Sequence, residues 1–102
     1  MITATFDVAT KTLTVSGGVP GEVARLKSDG KGNYNVASGT WPQTPVLNAA
    51  GVQSVVLNPN DKVVVNYSML ITTGQKVPES WSINLGNDCT LSAVMVNGAG
   101  GT

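Results

Sequence analysis

The sequence predicts an all-β fold: a single antiparallel β-sandwich of about seven to eight strands. Three observations lead there. Val63, Val65, Tyr67, Met69 and Ile71 share one face of an extended chain by period-two alternation, while Lys62, Asn66, Ser68 and Thr72 share the other, with Val64 and Leu70 as apolar exceptions. Valine is the largest apolar class, with threonine and asparagine abundant beside it, a mixture that favours strands and turns over helices. Short alternating runs are separated throughout by clusters of glycine, proline, asparagine and aspartate, and no stretch reads as a convincing helix.

The strands follow in order. Ile2, Ala4, Phe6 and Val8 alternate with Thr3, Thr5 and Asp7. After the link Ala9-Thr10-Lys11, Leu13 and Val15 alternate with Thr12, Thr14 and Ser16. The pair reads as a hairpin with one oily and one hydroxyl-rich face. The run Gly17-Gly18-Val19-Pro20-Gly21 breaks the pattern, because glycine frees the backbone and proline removes a ladder donor. Residues 22–28 and 33–38 are the third and fourth strands around the turn Asp29-Gly30-Lys31-Gly32. That turn partly matches a calcium loop, but Lys31 stands where another oxygen ligand would help, and a hairpin turn accounts for the residues.

Two prolines within four residues, Pro42 and Pro45, make residues 39–45 a semi-rigid loop that carries Trp41. Residues 46–48 read as a short edge strand, and residues 52–57 and 62–72 flank the turn Asn58-Pro59-Asn60-Asp61. An exposed loop then leads over Val77 and Pro78 to Trp81, Ile83 and Leu85, which resume the alternation, and Tyr67 and Trp81 are expected in the core. In the last strand, residues 89–96, Cys89, Leu91, Ala93 and Met95 share a face. The domain therefore spans residues 1–96, and residues 97–102, from Asn97 and Gly98 to Thr102, read as a glycine-rich tail.

At Leu57-x-Pro59-x-Asp61-x-Val63-x-Val65-x-Tyr67 the chain resembles the crossing between strands E and F of fibronectin type III and related immunoglobulin-like domains. There a leucine plugs the core, a proline opens the turn and alternating residues begin the next strand. The resemblance implies an immunoglobulin-like sandwich. Val63 stands where a fibronectin domain carries its corner tyrosine, and paired cysteines are missing.

Composition narrows the function. The chain has 102 residues, 12% of them charged, and a net charge of zero. It offers no electrostatic grip on nucleic acid or an anionic membrane, and little protection against self-association. No histidine occurs, which removes histidine triads, most zinc sites and imidazole acid–base chemistry. The six acidic residues are scattered among strands and turns. There is no phosphate-binding glycine loop, no run of eighteen apolar residues and no signal-peptide pattern. The single cysteine, Cys89, reads as a small buried apolar strand residue. The expectation is a non-enzymatic protein without cofactor or metal.

In its small size, neutrality, low cysteine content and Gly/Asn/Thr-rich turns, the chain is similar to the immunoglobulin-like virion proteins of tailed bacteriophages that decorate capsids or build tails and fibres. That similarity implies a virion location and partners among capsid or tail proteins and copies of the chain itself. The candidate contacts are Trp41, Pro42, Pro45, Val77 and Pro78 on the loops and Asn97, Gly98 and Thr102 at the end. The alternative is a carbohydrate-binding or adhesion module that uses the aromatic ring of Trp41.

Overall fold

The computed structural model describes residues 1–29, 32–39, 44–71 and 80–97. Every regular element in them is a strand: β1 (Ile2–Asp7), β2 (Thr12–Gly17), β3 (Val23–Ser28), β4 (Tyr34–Ser38), β5 (Thr44–Ala49), β6 (Ser54–Pro59), β7 (Val64–Ile71), β8 (Ser80–Ile83) and β9 (Thr90–Asn97). They form two sheets, of order β1-β2-β6-β8 and β5-β4-β3-β7-β9. Between the sheets lies one core. Leu13, Val15, Val55 and Leu57 from the first sheet meet Leu26, Val36, Val65 and Met69 from the second, all of them buried. These are the residues that period-two alternation turns inward.

Local chemistry sets the hairpins. Asp7 accepts from the backbone N–H of Ala9 at 2.9 Å and of Thr10 at 3.3 Å, and Lys11 adopts φ 54°, so the chain reverses between β1 and β2 without a glycine. Between β3 and β4, Asp29 accepts from the Asn33 N–H at 3.2 Å and from its side-chain amide at 2.6 Å. The hairpin-turn reading of this segment rests on those two bonds. β5 is an edge strand, as suits its single proline, Pro45, and its pairing with β4 is interrupted by a bulge between Val36 and Ala37 beside that residue.

The sheets are mixed, which corrects the antiparallel expectation. β1–β2, β3–β4 and β4–β5 pair antiparallel, whereas β2–β6, β3–β7, β6–β8 and β7–β9 pair parallel. The reason is connectivity. From β2 to β3, from β6 to β7 and from β8 to β9 the chain crosses from one sheet to the other, so these segments are three β-arches stacked in the same direction. The stacking continues through the bends. The Gly21 N–H donates to the Lys62 carbonyl at 2.8 Å, and the Lys62 N–H donates to the Asn87 carbonyl at 2.8 Å.

The second and third arches are copies in register. Ser54 pairs with Ser80 and Leu57 with Ile83; Val64 pairs with Thr90 and Ile71 with Asn97, always at a separation of 26 residues. Gly21, Lys62 and Asp88 take the corresponding place in the three bends, all with positive φ (85°, 60° and 58°). The layers are close enough that a Cβ on Gly86 would lie 2.6 Å from Asp61 Oδ1 and 2.8 Å from the backbone of Asn60. β9 also extends through Asn97, one residue beyond the strand read from the sequence, and residues 98–102 lie outside the described residues.

Register and burial together give a stability prediction. Leu57 is 1% exposed and its counterpart one layer on, Ile83, is 47% exposed. In chemical denaturation Leu57→Ala should cost about 2–5 kcal/mol, and Ile83→Ala about 1 kcal/mol or less. Gly86→Ala should cost on the order of 1–3 kcal/mol, because backbone rather than a flexible side chain must give way.

Candidate interaction surface

Of the contacts anticipated from sequence, Trp41, Pro42, Val77, Pro78, Gly98 and Thr102 lie outside the described residues. Pro45 is exposed on β5, and Asn97 ends β9, so these two stand at opposite edges of the five-stranded sheet and form no common site. Tyr34 and Tyr67 are buried, with their hydroxyls 3.0 Å apart. Burial pushes both phenols above their ordinary range, and for Tyr34 the contact with Tyr67 adds to the effect. Neither is a platform for a ligand.

Trp81 corrects the sequence reading. Its ring meets Tyr67 edge to face, with centroids 5.0 Å apart and planes at 89°, yet the residue is 39% exposed. Ile83, Leu85 and Leu91 are also exposed, so four of the seven exposed large hydrophobics among the described residues sit on the β8–β9 arch. The other three, Met1, Val8 and Val19, stand at the chain start or in turns. Trp81 and Ile83 have the inward parity of Val55 and Leu57, which are 0% and 1% exposed, and Leu91 has that of Val65, also 1% exposed. Their exposure is therefore a matter of layer. The third arch has a neighbour on one side and none, among the described residues, on the other.

Among the described residues no strand pairs with the outer edges of this arch. Ser80 donates its N–H to Gln53 and Asn84 donates its N–H to Leu57. In a parallel ladder alternate residues face the same neighbour, so Trp81 and Ile83 turn their N–H and C=O groups to the open side. On β9, Thr90 donates to Val63, which leaves Leu91 and Ala93 facing outward in the same way. Neither Ser80–Ile83 (SWSI) nor Thr90–Asn97 (TLSAVMVN) contains a charge or a proline. Those are the devices that keep natural edge strands apart.

The opposite end of the sandwich is bounded by β1 and β5. β1 and β5 lie against one another, with Pro45 on β5 and Asp7 on β1. Glu22, whose side chain is 13% exposed, holds this end together. It accepts from the Ile2 N–H at 2.8 Å, the Val19 N–H at 3.0 Å and the Ser38 hydroxyl at 2.6 Å, and its carboxylate lies 3.3 Å from the terminal ammonium. Burial would raise this carboxyl, but the Ser38 hydroxyl, the two amides and the ammonium together outweigh it and hold it at about 2.

Cys89 is partly buried and its Sγ lies 3.0 Å from the Asn60 carbonyl, bridging the second and third arches. Among the described residues no group of three or more His, Cys, Asp or Glu is placed to hold a metal ion. No protein-family model matches the chain, and neither a curated protein nor a solved structure matches it. Its fold is that of an all-β protein of two packed sheets.

The Glu22 contacts carry a pH prediction. The folded carboxyl titrates below the unfolded one, so its contribution is present above the ordinary value of 4.5 and is lost as pH falls from there towards 2. Denaturation curves recorded across that interval should show Glu22→Gln less stable than wild type at neutral pH. The gap should narrow as the solution is acidified.

Proposed function

We propose that this chain is a non-enzymatic structural protein that works by protein–protein contact within a repeated assembly, and that its assembly is a bacteriophage particle, as a capsid decoration or a tail or fibre component. The observation that supports the assembly reading is the β8–β9 end. Apolar side chains at core parity and two uncharged strand edges occupy the same face, a combination that a monomer has reason to avoid and an interface uses. Tryptophan, here the exposed Trp81, is a residue type that anchors protein contacts. The zero net charge suits a subunit packed among many copies of itself or of a shell protein. The bacteriophage setting rests on the similarity of size, composition and turn usage described for the sequence.

The test is incorporation. Particles purified by density gradient from cells that produce the chain should contain it in many copies, and Ile83→Lys should reduce its content at least tenfold. The chain found free of every shell or tube would count against the assembly reading. Specific glycan binding that is lost in Trp41→Ala would favour a carbohydrate-binding module instead.

A further inference from the structure

We infer that the outer face of the five-stranded sheet holds a binding site for an acidic saccharide, with Arg25 and Lys27 taking its carboxylate and the amides and hydroxyls beside them taking its hydroxyl groups. The inference goes beyond the assembly reading and concerns a different face. Leu26 of β3 is buried in the core, so its neighbours Arg25 and Lys27 point outward, roughly 6–7 Å apart along the strand. In the register of the sheet Arg25 lies beside Asn66 of β7, Asn66 beside Ser92 of β9, and Lys27 beside Ser68 of β7. These five residues, from three adjacent strands, line a hollow of about 380 Å³. A hollow of that size suits a small ligand.

Charge selects the ligand. None of the five strands of this sheet contains Asp or Glu, and Asp29, just beyond β3, is bonded to Asn33. The chain is neutral overall, so two cations gathered in a sheet without carboxylates make this face locally positive. An anion complements it. Arg25 is also oriented, because its Nε–H donates to the Gly39 carbonyl at 2.9 Å in a partly buried setting. A guanidinium already fixed gives up little freedom on binding, and its planar fork matches a carboxylate. Lys27 supplies the second charge.

The surroundings decide what carries the carboxylate. Two cations do not make a membrane-binding cluster, which takes about 4–8 Lys or Arg, and a nucleic acid demands a longer basic track. Beyond the cations this face continues as amides and hydroxyls. Asn66, Ser68 and Ser92 lie on one side; on the other, Asn35 faces Lys27, and Asn48 accepts from the Asn35 amide. Such groups both donate and accept, as ring hydroxyls require. An acidic peptide would present carboxylates with few hydroxyls to match them.

The experiment is a titration of the isotope-labelled full chain followed by amide NMR, with D-glucuronate as the acidic saccharide and glucose, acetate and poly-L-glutamate as comparison probes. Glucuronate should shift the amides of residues 25, 27, 66, 68 and 92. Glucose, which lacks the carboxylate, and acetate, which lacks the ring, should each bind at least tenfold more weakly. Arg25→Lys keeps the charge and removes the fork, and Lys27→Gln removes the second charge. Each, with a wild-type circular dichroism spectrum, should weaken glucuronate at least tenfold. Lys11→Gln alters an exposed cation in the β1–β2 turn and should leave binding unchanged.

Glucuronate that shifts no amide of this face, or binding that survives both variants, overturns the site. Acetate bound as tightly as glucuronate overturns the saccharide as ligand, and poly-L-glutamate bound more tightly than glucuronate overturns it in favour of an acidic protein. Particle incorporation tests the assembly reading separately, so the failure of one is distinguishable from the failure of the other.

Discussion

Parallel stacking of three sheet-to-sheet arches is the constraint on which the rest of this structure depends. Once β2, β6 and β8 run in one direction and β3, β7 and β9 in the other, the bends between them must also lie one above another. Their backbone groups then have partners in the next bend, as the Gly21, Lys62 and Asn87 bonds show. The stacking also explains why Lys62 and Asp88 accept a left-handed backbone that costs an ordinary residue roughly 1–2 kcal/mol. All three bends follow one path, and at this point the path has positive φ. Gly21 meets the demand at little steric cost; the two later bends meet it with side chains that point to solvent.

Stacking turns burial into a property of layer as much as of side chain. Val55 and Trp81 occupy the same place in successive arches, as do Leu57 and Ile83, yet one member of each pair is sealed and the other open. Hydrophobicity does not separate them. A side chain between two sheets is covered from the facing sheet and from both neighbouring layers, and the third arch lacks one of those layers among the described residues. Repeat architectures meet the same difficulty at their ends, where a terminal unit needs a polar outer face or a cover.

The parts of this fold that were legible in the sequence are those that alternation encodes. Period two gave the strands and the inward residues Leu13, Val15, Val63, Val65, Tyr67 and Met69, and the pattern at Leu57-x-Pro59-x-Asp61 placed a change of sheet where β6 passes into β7. Strand direction was not legible, because the same alternation serves a parallel and an antiparallel neighbour alike. The immunoglobulin-like resemblance supplied antiparallel pairing that the arches do not have. A signal for the true arrangement was present in the 26-residue spacing that relates Ser54, Leu57, Asn58 and Met69 to Ser80, Ile83, Asn84 and Met95. Trp81 was assigned to the core on parity alone, which fixes the face a residue points to and says nothing of the layer in which it lies.

The two ends differ in a way that bears on what the protein can build. At one end a carboxylate with four partners and the contact of β1 with β5 tie the edge strands to the rest of the sandwich, and the edge strand β5 carries a proline. At the other, both edges are bare of charge and proline. A stack of arches open at both ends would add copies without limit, since each addition restores the surface it covers, and the product is a fibre. Glu22 ties β1 to β4 and to the β2–β3 bend, so the two ends of the sandwich are held by different means.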